Sequence, residues 1–251
     1  MRNVFWIFGK MLALLYVFVG GGFLALFITV TSLIMGKNRQ LSTRRAVRAT
    51  FRFYVKILQL VGMFDLRVEN PEELTQLEGK IIVANHISLL DVVFLISLVP
   101  EAQCIIKSSL WRHVFLRYLM RAAGYIRNDL PAEELLAGCK EELACGRNLI
   151  VFPQGTRQQQ DETLRFHRGF ANLALYTDAP IQLVYITCTP PVLFKGEPLL
   201  HAPARRPVFN IRIGEQLDNK SIMGYPSRAI AARRIASKIE TIFQENLYNY
   251  G

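Results

Sequence analysis

A histidine five residues ahead of an aspartate, placed where an apolar run gives out, can do proton chemistry. Asn85-His86-Ile87-Ser88-Leu89-Leu90-Asp91 follows Lys80-Ile81-Ile82-Val83-Ala84 in this way. On one continuous helix that spacing sets the two side chains about 140° apart, so they would not meet. Through a loop that turns into a helix they can. Asp91 then accepts from one imidazole nitrogen of His86 and leaves the other as a base. The plainer alternative has His86 satisfying a buried backbone group and Asp91 starting a helix. A second cluster, Phe152-Pro153-Gln154-Gly155-Thr156-Arg157, follows another apolar run, Asn148 to Phe152. Pro153 stops a strand and Gly155 allows close backbone approach. Backbone N–H groups around Gly155 and Thr156, with the Arg157 fork, make an anion cradle. A surface loop with one exposed arginine is the alternative.

Both clusters need strands behind them and helices around them. Apolar runs of strand length stand at 65–69, 80–85, 103–107, 148–152, 181–189 and 208–214. Helical segments fall between them at 89–98, 110–123, 131–145 and 168–178, with a terminal one at 228–247. Gly124 and Gly146 supply helix-ending C′ positions, and Pro131 opens a helix at its first turn. Asn70-Pro71 reads as a turn. Strands alternating with helices predict an α/β fold, a mixed and mostly parallel sheet covered by helices. In such sheets ligands sit at the carboxyl ends of strands, where both clusters fall. No linker divides residues 65–251, which reads as one catalytic domain.

The segment ahead of that domain is of another kind. Met11 to Met35 is 25 residues without a charge, long enough to cross a bilayer core of about 30 Å as a tilted helix. Gly20-Gly21-Gly22 at its middle leaves a re-entrant hairpin as the alternative. Residues 1–36 are therefore expected to be a membrane segment. From Lys37 to Lys56 there are seven basic residues and no acid, which places the chain after residue 36 in the cytoplasm. Val47, Phe51, Tyr54, Leu58 and Val61 form one apolar helical stripe, flanked by Arg44, Arg48, Arg52 and Lys56 at i+4 spacing. Residues 37–64 thus predict a basic amphipathic helix at the membrane surface, its cations on lipid phosphates. A helix packed on the core with a solvated basic face is the other reading.

Composition narrows the rest. With 51% hydrophobic residues, 16 Gly, 11 Pro and 4 Cys, the chain is not disordered, collagen-like or disulfide-scaffolded. None of the cysteines (Cys104, Cys139, Cys145, Cys188) forms C-x-x-C or lies at metal-ligand spacing to a histidine, so no metal site is expected. Thirty Lys and Arg against 20 Asp and Glu give a net charge of +10, which calls for an anionic partner. Nucleic acid is not favoured, because the cations gather beside the apolar segment and no nucleic-acid motif is present.

Taken together and in this order, the clusters resemble the glycerolipid acyltransferase superfamily, of the lysophosphatidic acid acyltransferase type. That family reads N-H-x4-D, a G-x-I block, F-P-E-G-T-R, and a strand ending in proline. Here these are Asn85 to Asp91, Gly124-Tyr125-Ile126, Phe152 to Arg157, and Ile181 to Pro190. The resemblance implies acyl transfer from a thioester to the hydroxyl of a lysophospholipid, 1-acylglycerol-3-phosphate in the first place. It implies His86 as general base, Asp91 as the group that fixes its tautomer, and Arg157 and Lys107 as phosphate-binding cations, with Gly155 and Thr156 in the cradle. It implies no metal and no redox cofactor. The partners are membrane lipids and an acyl thioester donor, either acyl-coenzyme A or an acidic acyl carrier protein. Two departures concern acceptor recognition. The family's Glu is Gln154 here, and the arginine that comes after the G-x-I block is replaced by Leu130, with Arg127 three residues earlier. A different lysolipid acceptor and a non-catalytic lipid-binding protein are the alternatives.

Overall fold

The computed structural model describes residues 6–9, 11, 39–112, 116–159, 163–198, 201–218 and 227–248. In chain order its elements are helix α1 (Arg39–Leu60), strand β1 (Asp65–Val68), α2 (Pro71–Thr75), β2 (Ile81–Ala84), α3 (Asp91–Leu98), β3 (Gln103–Ile106), α4 (Ser108–Trp111), α5 (Leu116–Ala123), β4 (Ile126–Arg127), α6 (Ala132–Ala144), β5 (Leu149–Val151), α7 (Gly169–Thr177), β6 (Ile181–Thr189), β7 (Val208–Leu217) and α8 (Arg228–Tyr248). The seven strands form one sheet in the order β1-β7-β6-β2-β5-β3-β4. Five of its six pairings are parallel; β6 and β7 alone run antiparallel. The mixed, mostly parallel sheet expected from the sequence is therefore present.

Strand residues alternate between two cores, and both faces are apolar, which is why the strands read as unbroken hydrophobic runs. Ile82, Ala84, Ile150, Val184 and Ile186 face one core, with Phe64, Phe94 and Phe209. Those three rings meet edge to face, at centroid distances of 5.3, 5.5 and 4.9 Å. Ile81, Val83, Leu149, Ile181, Leu183 and Tyr185 face the other core, against Phe170 of α7 and Ile239 and Phe243 of α8.

Helix α1 belongs to the first core. Val47, Tyr54, Val55 and Leu58 are buried there beside Phe94 of α3 and Leu119 of α5. Its apolar stripe thus faces protein from Val47 to Leu58, while Val61 is exposed, and a boundary drawn between residues 64 and 65 runs through this core. Two of its flanking cations also turn inward. Arg44 donates through Nε to Ala123 O at 2.7 Å and pairs with Glu142 at 2.6 Å. Arg48 donates to Leu98 O at 2.7 Å. Arg45, Arg52 and Lys56 remain exposed. The expectation that all these cations meet lipid phosphates is corrected for Arg44 and Arg48: carbonyls at helix ends lack intrahelical partners and draw a nearby guanidinium.

Smaller differences have local causes. The helix expected over 110–123 is two pieces, α4 and α5, with 113–115 outside the described residues. Strand β4 is two residues long, too short to show a period. After the turn residue Asn70, which adopts φ 47°, Pro71 opens the short helix α2. The expected membrane segment, residues 1–36, falls almost wholly outside the described residues. Among those described, no helix is long and apolar enough to cross a membrane.

Candidate active site

Strands β2, β5, β3 and β6 are parallel, so their carboxyl ends open onto one rim of the sheet. His86 follows β2 there. Asn85, fully buried, continues the ladder with its side chain: Nδ2 donates to Ile186 O at 2.7 Å and Oδ1 accepts from Ile186 N–H at 2.8 Å. The chain can then leave the sheet at His86 without an orphaned amide on β6. It turns through Ile87 and Ser88 and enters α3 at Asp91.

That turn brings the two side chains together. His86 Nδ1 lies 2.9 Å from Asp91 Oδ2. The same oxygen accepts from the N–H groups of Ile87 at 2.7 Å and Ser88 at 2.8 Å. The Asp91 carboxylate is fully buried and its Oδ1 has no hydrogen-bond partner. Burial pushes its pKa above the usual carboxylate range, against the lowering effect of His86 and the two backbone N–H groups. The His86 side chain is 15% exposed and stacks on Phe152, with centroids 4.3 Å apart. With Nδ1 committed to Asp91, Nε2 is the nitrogen left to act as a base.

Phe152 opens the second cluster, one strand along. Gly155 donates to Phe152 O at 3.0 Å and holds φ at +69°, a left-handed turn suited to glycine. The two clusters are laced to each other. Gln154 Oε1 accepts from His86 N–H, Gln154 Nε2 donates to Gln158 at 3.2 Å, and Gln158 N–H donates to His86 O at 2.8 Å. Gln154 is buried, and its amide is spent on the His86 backbone N–H and the Gln158 side chain. Thr156 is exposed. Arg157, half-buried, crosses toward the loop after β6, where Nη1 donates to Leu193 O at 2.7 Å and Phe194 O at 3.4 Å.

The remaining cations lie farther along the rim. Lys107 follows β3 and is exposed. Arg127 sits on edge strand β4, three places from β2, or about 14 Å at ordinary strand spacing. It is exposed and held by Asp129 at 2.9 and 2.7 Å. Asp129 raises the Arg127 pKa, and Arg127 lowers that of Asp129. The structure thus brings together His86, Asp91, Gln154, Gly155 and Arg157 and leaves Lys107 and Arg127 apart from them.

Beneath the second cluster lies an apolar cavity of about 250 Å³, lined by Ile105, Leu136, Phe152, Gly155, His167 and Leu173 among others. Buried Cys104 and Cys139 and half-buried Cys188 have their thiols pushed up to about 12 by burial, so they stay protonated. Among the described residues, no group of three His, Cys, Asp or Glu side chains gathers to hold a metal.

Five contributors went unassigned in the sequence: Asn85, Phe152, Gln158, Leu193 and Glu197. Asn85 and Phe152 stood inside the recognised blocks, and a polar residue ending a buried strand was the available signal for Asn85. Gln158 and Leu193 act through backbone groups, which carry no residue-type signal, and Glu197, whose carboxylate accepts from Leu193 N–H, stands outside the recognised blocks.

Known proteins resemble this chain in sequence and in fold. The family model described as Acyltransferase matches residues 65–187. A 1-acyl-sn-glycerol-3-phosphate acyltransferase from Helicobacter pylori is 32% identical over 175 residues, covering 67% of this chain and 68% of that one. An enzyme of the same name from Cocos nucifera is 30% identical over 115 residues, covering 43% and 37%. The crystal structure of the 1-acyl-sn-glycerophosphate (LPA) acyltransferase PlsC from Thermotoga maritima shares the fold, with a TM-score of 0.69 over 97% of each chain at 24% identity.

Proposed function

The chain belongs to the glycerolipid acyltransferase superfamily and is an acyltransferase, and from that premise we propose that it acylates the free hydroxyl of a lysophospholipid, 1-acylglycerol-3-phosphate foremost. The observation that carries this reading is the His86–Asp91 pair at 2.9 Å, set at the carboxyl ends of the parallel strands. His86 Nε2 takes the proton of the acceptor hydroxyl as its oxygen attacks the thioester carbonyl. The tetrahedral intermediate collapses and the carbon–sulfur bond breaks. The leaving thiolate then takes the proton back from His86, giving one ester and one thiol. Asp91 holds the imidazole by Nδ1 and stabilises the imidazolium between the two steps. Stacking on Phe152 fixes the plane of the ring.

Arg157 is assigned to the phosphate of the acceptor, with the turn at Gly155 and Thr156. Lys107, exposed farther along the same rim, is assigned to the same phosphate. The apolar cavity under the turn suits part of an acyl chain. Gln154 is a brace between loops in this reading, so its difference from the family's Glu leaves phosphatidate formation as the leading activity. The acyl donor is a thioester, acyl-coenzyme A or an acylated carrier protein. We assign the uncharged run from Met11 to Met35 to the membrane, with the basic flank after it on the cytoplasmic side. Exposed Phe53 and Leu60 on α1 sit beside Arg52 and Lys56, a surface suited to the headgroup layer.

The test is acyl transfer from a labelled thioester to a panel of lysolipids with and without a terminal phosphate. His86→Ala is expected to lower turnover on 1-acylglycerol-3-phosphate by about 10²–10⁴-fold, the usual share of a positioned base. A folded His86→Ala protein with near-normal turnover would refute the assignment.

A further inference from the structure

The loop after β6 carries an arrangement that the chemistry of the rim does not by itself require. Leu193 adopts φ +56°, a left-handed conformation that a leucine enters at a cost. Its carbonyl does two jobs in that pose. It accepts from Arg157 Nη1 at 2.7 Å, and from the N–H of Leu89, inside the His86–Asp91 turn, at 3.1 Å. One oxygen therefore joins the arginine loop to the histidine loop. The N–H of the same residue donates to Glu197 Oε2. The Glu197 side chain is 2% exposed, and its other oxygen, Oε1, lies 2.7 Å from His201 Nδ1. A carboxylate buried this fully is not a solvated surface charge, and both its oxygens are engaged.

We infer that Glu197 is a positioning residue for acceptor binding: it fixes the left-handed turn at Leu193, and that turn aims Arg157 at the substrate phosphate. The inference rests on the reading of Arg157 as the phosphate-binding arginine. Glu197 touches no substrate. It acts through Leu193, so its loss lets the turn relax to an ordinary conformation and swings the Leu193 carbonyl away from the guanidinium. Arg157 then pairs with phosphate from a wider set of poses, and acceptor affinity falls. Proton transfer at His86 is affected less, because Asp91 holds the imidazole independently through Nδ1. The oxygen matters for reach and acceptance, not for charge. Glutamine keeps an acceptor at the same distance and can donate to a neutral His201, whereas aspartate keeps the charge and is one methylene short.

The experiment measures KM for 1-acylglycerol-3-phosphate and kcat in the full chain and four variants: Arg157→Ala, Glu197→Ala, Glu197→Asp and Glu197→Gln. Melting temperatures are recorded alongside, and the double variant Arg157→Ala/Glu197→Asp completes a cycle. The expected result is a rise in KM of at least tenfold for Arg157→Ala. Glu197→Ala and Glu197→Asp should raise it by about 3- to 10-fold with kcat within about twofold, and Glu197→Gln should stay near wild type. In the Arg157→Ala background Glu197→Asp should add nothing to KM. Should Glu197→Ala fail to fold, Glu197→Asp carries the decision. A normal KM in Glu197→Asp, or an undiminished effect in the double variant, overturns the positioning role and leaves Arg157 as the phosphate ligand. A normal KM in Arg157→Ala overturns the phosphate reading itself, and this inference with it.

Discussion

Three hydrogen-bond donors converge on Asp91 Oδ2 and none reaches Oδ1, so one atom of this side chain separates its geometry from its charge. An asparagine with its oxygen in the Oδ2 position still accepts from His86 Nδ1 and from both backbone amides. What Asp91→Asn loses is the negative charge that stabilises the imidazolium. Turnover should fall by on the order of 10²-fold while the acceptor KM barely moves. Stability should move the other way. The folded pKa of Asp91 is raised above the usual value near about 3.9. As pH rises past that value the unfolded chain releases this proton before the folded one does, so the folded state binds more protons and becomes relatively less stable. The contribution is thus most favourable below about pH 3.9 and is lost as pH rises through the folded pKa. Melting curves of both proteins should show Asp91→Asn gaining on wild type as pH increases from about 3.5 toward neutrality. A variant uniformly less stable at every pH would mean that the carboxylate is needed to hold the turn. The pairing of His86 with Asp91 was legible in the sequence because both lie in one seven-residue turn after a recognisable strand. The bracing role of Gln154 was not, because its partner across the loops, the His86 backbone N–H, is brought to it only by the adjacency of β2 and β5.

Helix α1 shows how the same limit works on elements. Its period and its row of cations at i+4 were plain in the sequence, yet periodicity states only that one face is apolar, not what covers it. The cover is α3 and α5, and the inward cation is specific: Arg44 ties α1 to the end of α5 through Ala123 O and to α6 through Glu142. Glu142 is itself shared with Arg147 at 3.1 Å. Arg44→Met keeps most of the side-chain volume but strands the Ala123 carbonyl and leaves the largely buried Glu142 to Arg147. Removing one partner of a buried pair costs up to about 3–5 kcal/mol, and the remaining Arg147 contact holds the loss to the lower end of that range. At the size of this chain that lowers Tm by on the order of 10 °C. Arg52→Met, on the exposed side of the same helix, should leave Tm within about 2 °C, since surface charges contribute little. Differential scanning of the two variants distinguishes the roles. An unchanged Tm in Arg44→Met, with weakened binding to anionic vesicles, would return Arg44 to the lipid surface. Strand β4 and helix α2 were missed for a different reason: at two and five residues they are shorter than a period can reveal, and the sheet edge and a proline define them.

For the whole molecule, the sheet order decides which charges act together. Arg157 and Lys107 follow β5 and β3, so both stand on the rim with His86, while Arg45, Arg52 and Lys56 are carried outward on α1. Some exposed cations are compensated, as Arg127 is by Asp129, Arg45 by Glu101 and Arg206 by Asp65. The net excess of +10 survives these pairs and gives the molecule a field that reaches beyond contact distance. An acidic carrier protein presenting the acyl thioester would feel that field before it touched the rim. Steering of this kind raises the encounter rate and is screened once the Debye length shrinks, to about 10 Å at 0.1 M salt and 3 Å at 1 M. With a carrier-protein donor and the acceptor held in neutral detergent micelles, kcat/KM for the donor should fall about tenfold between 20 mM and 300 mM salt. The kcat should stay level, because the chemistry at His86 is local and partly buried. The sequence stated the excess charge but not its direction, which depends on which helices turn their cations inward. A kcat/KM that does not change with salt would show that this excess does not serve the donor, and would leave the anionic lipid surface as its partner.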